Sequence, residues 1–137
     1  MSVAQRTVEI GLKIPDNTAY TAMVALRRLG VEVARVERGE LRAFDDGGDV
    51  GALLERVEAD ETIFNPNIHR VTVRESGAPD AGEVWIESLD GTVPTVAWRL
   101  FDARDRAVDG LALQTAVDRL LCNPSIDRAI LGKNEAR

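Results

Sequence analysis

From Thr7 to Ile14 every second residue is apolar. Val8, Ile10, Leu12 and Ile14 fall on one side, and Glu9 and Lys13 on the other. A period of two predicts a strand with one buried face. Pro15 stops it, because proline has no N–H to give to a ladder. Asp16, Asn17 or Thr18 can then cap a helix by accepting from a free backbone N–H. Ala19, Ala22, Met23, Leu26 and Leu29 lie three or four apart and form one stripe along that helix. Arg27 and Arg28 suit the negative end of its dipole, and Gly30 ends it. Residues 31–44 read as two strands joined by a tight turn at Arg38-Gly39. A loop over 45–49 hands an acidic cap to a second helix, whose stripe is Val50, Leu53, Leu54 and Val57 and which runs to about Phe64. Asn65-Pro66-Asn67 breaks it, and residues 68–74 form a closing strand. The order over 7–75 is βαββαβ, the ferredoxin-like α+β order: a four-stranded antiparallel sheet with both helices on one face.

Residues 76–82 read as a flexible linker by composition. Beyond it, 83–87 and 95–101 are strands, 111–121 is a helix with Leu113, Val117, Leu120 and Leu121 inward, and 126–131 forms a short last strand. The two helix exits repeat. Asn65-Pro66-Asn67-Ile68-His69-Arg70 and Asn123-Pro124-Ser125-Ile126-Asp127-Arg128 share Asn-Pro-x-Ile-x-Arg at a spacing of 58 residues. Both follow an apolar helix and precede a strand. The expected organisation is therefore a βαββαβ unit over 1–76, a linker over 77–82, and a shortened ββαβ copy over 83–137 packed on the first unit or on a second chain.

Charge narrows the range of functions. The chain has 137 residues with 17 Lys plus Arg against 23 Asp plus Glu, a net charge of −6. Each half carries −3, so no basic half is hidden, and a nucleic-acid partner is not expected. No run of about 18 apolar residues suggests a membrane span. The first residues lead into a strand pattern without a signal-peptide core, which gives a cytoplasmic expectation. With one cysteine, Cys122, and one histidine, His69, neither an intrachain disulfide nor a zinc site within one chain is expected.

The search for chemistry yields little. His69 has the residue type of a general base, but no nucleophile pattern lies near it. Cys122 at a helix end reads as a small buried apolar residue. Asp45, Asp46 and Asp49 lack the spacing of a calcium loop and read as a solvated loop with a helix cap. Gly47-Gly48 is too little for a phosphate cradle. Arg27, Arg28, Arg35, Arg38 and Arg42 are the local basic group, and Glu37 and Glu40 make the patch mixed. Trp85 and Trp98 fall on neighbouring strands and suit a core or an interface. The candidate partner surface is thus Arg38, Glu40, Arg42, Trp85 and Trp98, with Ala34, Val36 and Ala43 as apolar residues on an open sheet face. No catalytic, cofactor or metal residue is assigned.

The first unit resembles the PurS subunit family of phosphoribosylformylglycinamidine synthase. The resemblance covers about residues 6–75. It rests on the strand Val8 to Ile14, the helix end Ala25-Leu26-Arg27-Arg28-Leu29-Gly30, the segment Val33-Ala34-Arg35-Val36-Glu37-Arg38-Gly39 and the exit Asn65-Pro66-Asn67-Ile68. Leu120-Leu121-Cys122-Asn123-Pro124-Ser125-Ile126-Asp127 resembles the family's helix exit more closely. Where the family carries a lysine after the hairpin glycine, this chain has Glu40. The resemblance implies a noncatalytic subunit that self-associates and holds synthetase and glutaminase subunits together for ammonia transfer in purine biosynthesis. The rival expectation is a small-ligand-binding regulatory module of the ACT-like type, with Gly30 near the strand junction where an amino acid could sit.

Overall fold

The computed structural model describes residues 5–45, 48–108 and 110–132. Along the chain run β1 (Gln5–Leu12), α1 (Asn17–Arg28), β2 (Arg35–Asp45), α2 (Val50–Ala59), β3 (His69–Val73), β4 (Glu83–Ser88), β5 (Thr95–Phe101), α3 (Gly110–Ala116) and β6 (Asp127–Leu131). A π-helical turn, Val117–Leu121, continues α3. Six strands and three helices make this an α+β protein. The chain divides into two compact units. One holds the residues up to Pro15 and Gly39–Gly77; the other holds Asp16–Arg38 and the residues from Ala78 onward.

In the first unit β1 is the middle strand, antiparallel to β2 on one side and to β3 on the other. Of the four residues expected on its buried face, Val8 and Ile10 are buried with Leu53 and Val57 of α2 and with Phe64, whereas the strand ends at Leu12, Ile14 is exposed, and Glu9 on the other face is buried as well. Asp49 caps α2 by accepting from the Ala52 N–H. The helix stops at Ala59, short of Phe64, because Asp60 leaves helical geometry and its carboxylate accepts from the Thr62 N–H and hydroxyl instead. These two bonds, the hydroxyl's first, hold the Asp60 carboxyl below its ordinary range.

The hairpin expected over 31–44 does not form. The chain passes Arg38-Gly39 in a single strand of 11 residues, so residues 5–73 carry three strands rather than four. A two-residue hairpin turn needs positive φ, and Gly39 is not among the positive-φ residues. Gly39 has a different job. A Cβ there would lie 2.4 Å from Glu9 Oε2. The missing side chain makes room for Glu9, which is buried and paired with Arg74 at 2.8 Å.

In the second unit β4 is flanked by β5 and β6, both antiparallel to it. The start of β2 lies next to β5, and just before it the Ala34 N–H donates to the Phe101 carbonyl at 2.7 Å. α1 belongs here. Its Leu26 is buried with Val31, Val33, Val84, Ile86, Leu100, Leu113 and Val117. Of the residues expected to face inward, Ala19, Ala22 and Leu26 are buried, while Leu29 is exposed. Val36, expected on an open sheet face, packs against this helix-side cluster. The reverse face of β4 and β5 is not open either: Glu83, Trp85 and Ala97 are all buried.

The two Asn-Pro exits have the same geometry. In the first, Asn65 O accepts from the N–H groups of Ile68 and His69, Asn65 Oδ1 accepts from Asn67 N, and His69 Nδ1 accepts from Asn65 N at 2.9 Å. In the second, Asn123 O accepts from Ile126 and Asp127, Asn123 Oδ1 accepts from Ser125 N, and Asp127 Oδ2 accepts from Asn123 N at 3.2 Å. Histidine and aspartate thus do one job, taking the backbone N–H that the helix break leaves over. His69→Ala is expected to lower stability by about 1 kcal/mol, and His69→Asp to restore most of it. Urea midpoints of the three proteins check this, and equal loss in both variants would remove the assigned role.

Candidate functional site

α1 starts at Asp16, whose carboxylate accepts from the Ala19 N–H at 3.1 Å. The same carboxylate meets Arg38 Nε at 3.2 Å, and the Arg38 guanidinium lies 5.8 Å from the centre of the Trp98 ring. Asp16 thereby fixes the helix start and the arginine together. Below them a cleft of about 420 Å³ opens between α1 and the π turn. Trp98 and Leu121 line it with Asn17, Thr18, Thr21, Ala22, Ala25 and Leu120. The small side chains of Ala22 and Ala25 make the space, and Asn17, Thr18 and Thr21 supply donors and acceptors at its rim. The π turn re-aims the last residues of the third helix and leaves Leu120 40 % exposed.

The outer face of α1 continues this apolar surface. Tyr20, Thr21, Val24, Ala25, Arg28 and Leu29 line a shallow groove beside the cleft. Thr21 and Ala25 are common to both hollows, so α1 stands as a low ridge between them. Tyr20 is 63 % exposed. A helix with apolar residues on both its faces is usually covered on both. Tyr20 and Val24, off the inward stripe, are the signal in the sequence for this surface.

The five residues proposed as a partner surface are placed as follows. Arg38 and Trp98 meet beside the cleft. Glu40 and Arg42 lie in the first unit, paired with each other at 3.3 Å. Trp85 sits on the reverse face of β4, 6 % exposed. Around it runs a chain of charges: Arg99 meets Glu83 at 2.7 Å and Glu37 at 3.3 Å. Arg35 pairs with Glu37 and Asp105, and its guanidinium lies 3.9 Å from the centre of the Phe101 ring. Asp105, acting first through its hydrogen bond, raises the Arg35 pKa further.

Cys122 ends the π turn. Burial, and then the nearby Asp127 and Asp118, push its thiol up, which disfavours the thiolate a nucleophile requires. Of the acidic loop, Asp49 is the α2 cap and Asp45 accepts from the Gln5 side chain; Asp46 and Gly47 lie outside the described residues. Among the described residues no group of three or more His, Cys, Asp or Glu is placed to hold a metal ion. No helix among them is long and apolar enough to cross a membrane.

The chain matches no protein-family model, no curated protein and no solved structure. The functional reading therefore stands on the residues themselves.

Proposed function

We propose that this chain is a noncatalytic assembly subunit of the PurS-like type, which self-associates and joins synthetase and glutaminase subunits of an amidotransferase. The observation that carries the reading is the group of exposed apolar side chains formed by Tyr20 on α1, Leu29 at its C-terminal cap and Leu120 on the π turn, with half-buried Val24 beside them. Exposed apolar side chains grouped along one helix mark a contact surface. The resemblance of Ala25-Leu26-Arg27-Arg28-Leu29-Gly30 and of both Asn-Pro exits to the PurS family supports the type. Self-association with a helical ridge between two grooves leaves each copy a surface for other subunits.

Sedimentation velocity at micromolar concentration tests it. The wild-type chain is expected above its monomer mass of 15.0 kDa, and Tyr20→Glu combined with Leu120→Glu at that mass. Both side chains are exposed, so the variant should fold, with a change in stability within about 0.5 kcal/mol per site. A wild-type monomer throughout that range would sink the self-association. Capture of a synthetase or glutaminase subunit by the wild type, but not by the variant, would establish the wider assembly.

A second reading, a regulatory module for a small ligand, is favoured by the Trp98 cleft. An indole floor with hydroxyl and amide groups at the rim suits a small ligand with an apolar body. A screen of amino acids and nucleotides by thermal shift separates the two readings. Stabilisation grows as RT ln(1 + [L]/Kd), so one metabolite giving several degrees, with mass unchanged, favours the sensor.

A further inference from the structure

The outer edge of the first unit carries a second surface, independent of α1. Among the described residues β3 has β1 as its one neighbour. The register sets which backbone groups are used. Arg74 N donates to Thr7 O, and Lys13 N donates to Ile68 O. Pairing alternates along an antiparallel ladder, so Arg70 and Thr72 direct their N–H and C=O groups to β1. Val71 and Val73 direct theirs away from it. Among the described residues nothing takes these groups up. An edge of this kind is a template for another strand.

The side chains beside the edge state what kind of strand. A hollow of about 480 Å³ at the start of β3 is lined by Phe64, Pro66, Val71, His69, Lys13, Arg70 and Glu58. Neither Lys13 nor Arg70 is held in an ion pair among the described residues. His69 accepts at Nδ1 from Asn65 N, so its neutral ring carries the proton on Nε2 and adds a donor. Glu58 alone opposes these groups. In a chain of net charge −6, two unpaired cations next to an open strand edge are a local exception.

We infer that β3 is a docking edge for an extended acidic segment of a partner protein. The segment pairs its backbone with Val71 and Val73. Its alternate apolar side chains cover Phe64, Pro66 and Val71, and its carboxylates meet Lys13 and Arg70. Strand addition of this sort takes affinity from the main chain and specificity from alternate side chains. A second copy fits the edge worse, because β3 against β3 gathers like charges, two Arg70 and two Lys13 side chains. The inference does not rest on the assembly reading, since it uses no residue of α1 or of the Trp98 cleft.

Fluorescence anisotropy on the full chain tests it, with a labelled acetyl-Glu-Val-Glu-Val-Glu amide as probe. The acidic peptide is expected to bind, and to weaken as salt is added. Methylating its alternate backbone nitrogens should abolish binding without altering the protein. Lys13→Glu with Arg70→Glu should weaken it about tenfold or more, and circular dichroism checks that this variant is folded. The inference is overturned by absence of binding, by equal binding of the Lys-Val-Lys-Val-Lys peptide, or by full retention of the N-methylated one. It is equally overturned if free glutamate at matched carboxylate concentration displaces the probe completely, or if the charge reversal changes the sedimenting mass, which would assign the edge to a second copy.

Discussion

Arg99→Ala should lower the unfolding free energy by about 3 kcal/mol, one of the two largest losses expected from a single substitution here. Glu83 is 1 % exposed. Its carboxylate meets Arg99 Nη1 at 2.7 Å, and its other oxygen accepts from Asp80 N at 2.9 Å. A carboxylate so far from water is held by its partners, and losing the cation costs more than the pair contributes net. Arg99 also reaches Glu37, so the substitution strips a counter-charge from two acids. The asymmetry supplies the control. Glu83→Leu combined with Arg99→Met removes both charges at similar volume and should return most of the stability. Urea unfolding of the three proteins decides the matter. A loss below about 1 kcal/mol in Arg99→Ala would show that Glu83 does not depend on this arginine.

Leu26→Ala should cost a similar amount, within about 2–5 kcal/mol. Leu26 has no exposed surface, and its neighbours come from elements far apart in the chain: Val84, Ile86 and Leu100 on strands, Leu113 on α3 and Val117 on the π turn. Backbone of this density cannot collapse around the lost atoms, so a cavity remains. The effect reaches the site, because Leu26 is one of the buried side chains that seat α1, a wall of the cleft. Leu26→Met, which conserves volume, should cost under about 1.5 kcal/mol. Equal midpoints for the alanine and methionine variants would contradict this.

Most elements were legible in the chain because each rests on local chemistry. The alternation of Val8 and Ile10 marked β1. The acidic caps Asp16 and Asp49 marked two helix starts, and the prolines Pro66 and Pro124 marked the two exits. Residues 95–101 were read as a strand and are β5. What escaped depends on distant partners. Gly39 resembles a turn glycine until Glu9, thirty positions earlier, is seen filling the space its side chain would take. Leu29 continues the α1 stripe in sequence, yet the core of the second unit closes over Leu26 and leaves Leu29 outside. The π turn carries no residue pattern that separates it from ordinary helix. The cleft was illegible for the same reason: Trp98 and Thr18 are 80 positions apart, and neither has the residue type of a catalytic group.

The double duty of Asp16 has a kinetic consequence. By capping α1 and pairing with Arg38 through one carboxylate, it holds that arginine beside a cleft whose lining carries no charged side chain. A partner binding there would gain little from charge steering, and its association would be expected at about the unsteered 10⁵–10⁶ M⁻¹ s⁻¹. Under the docking inferred above, Lys13 and Arg70 outweigh Glu58 in their hollow, so an acidic segment would be steered to β3. The molecule would accordingly gather one kind of companion quickly and the other only by patient trial.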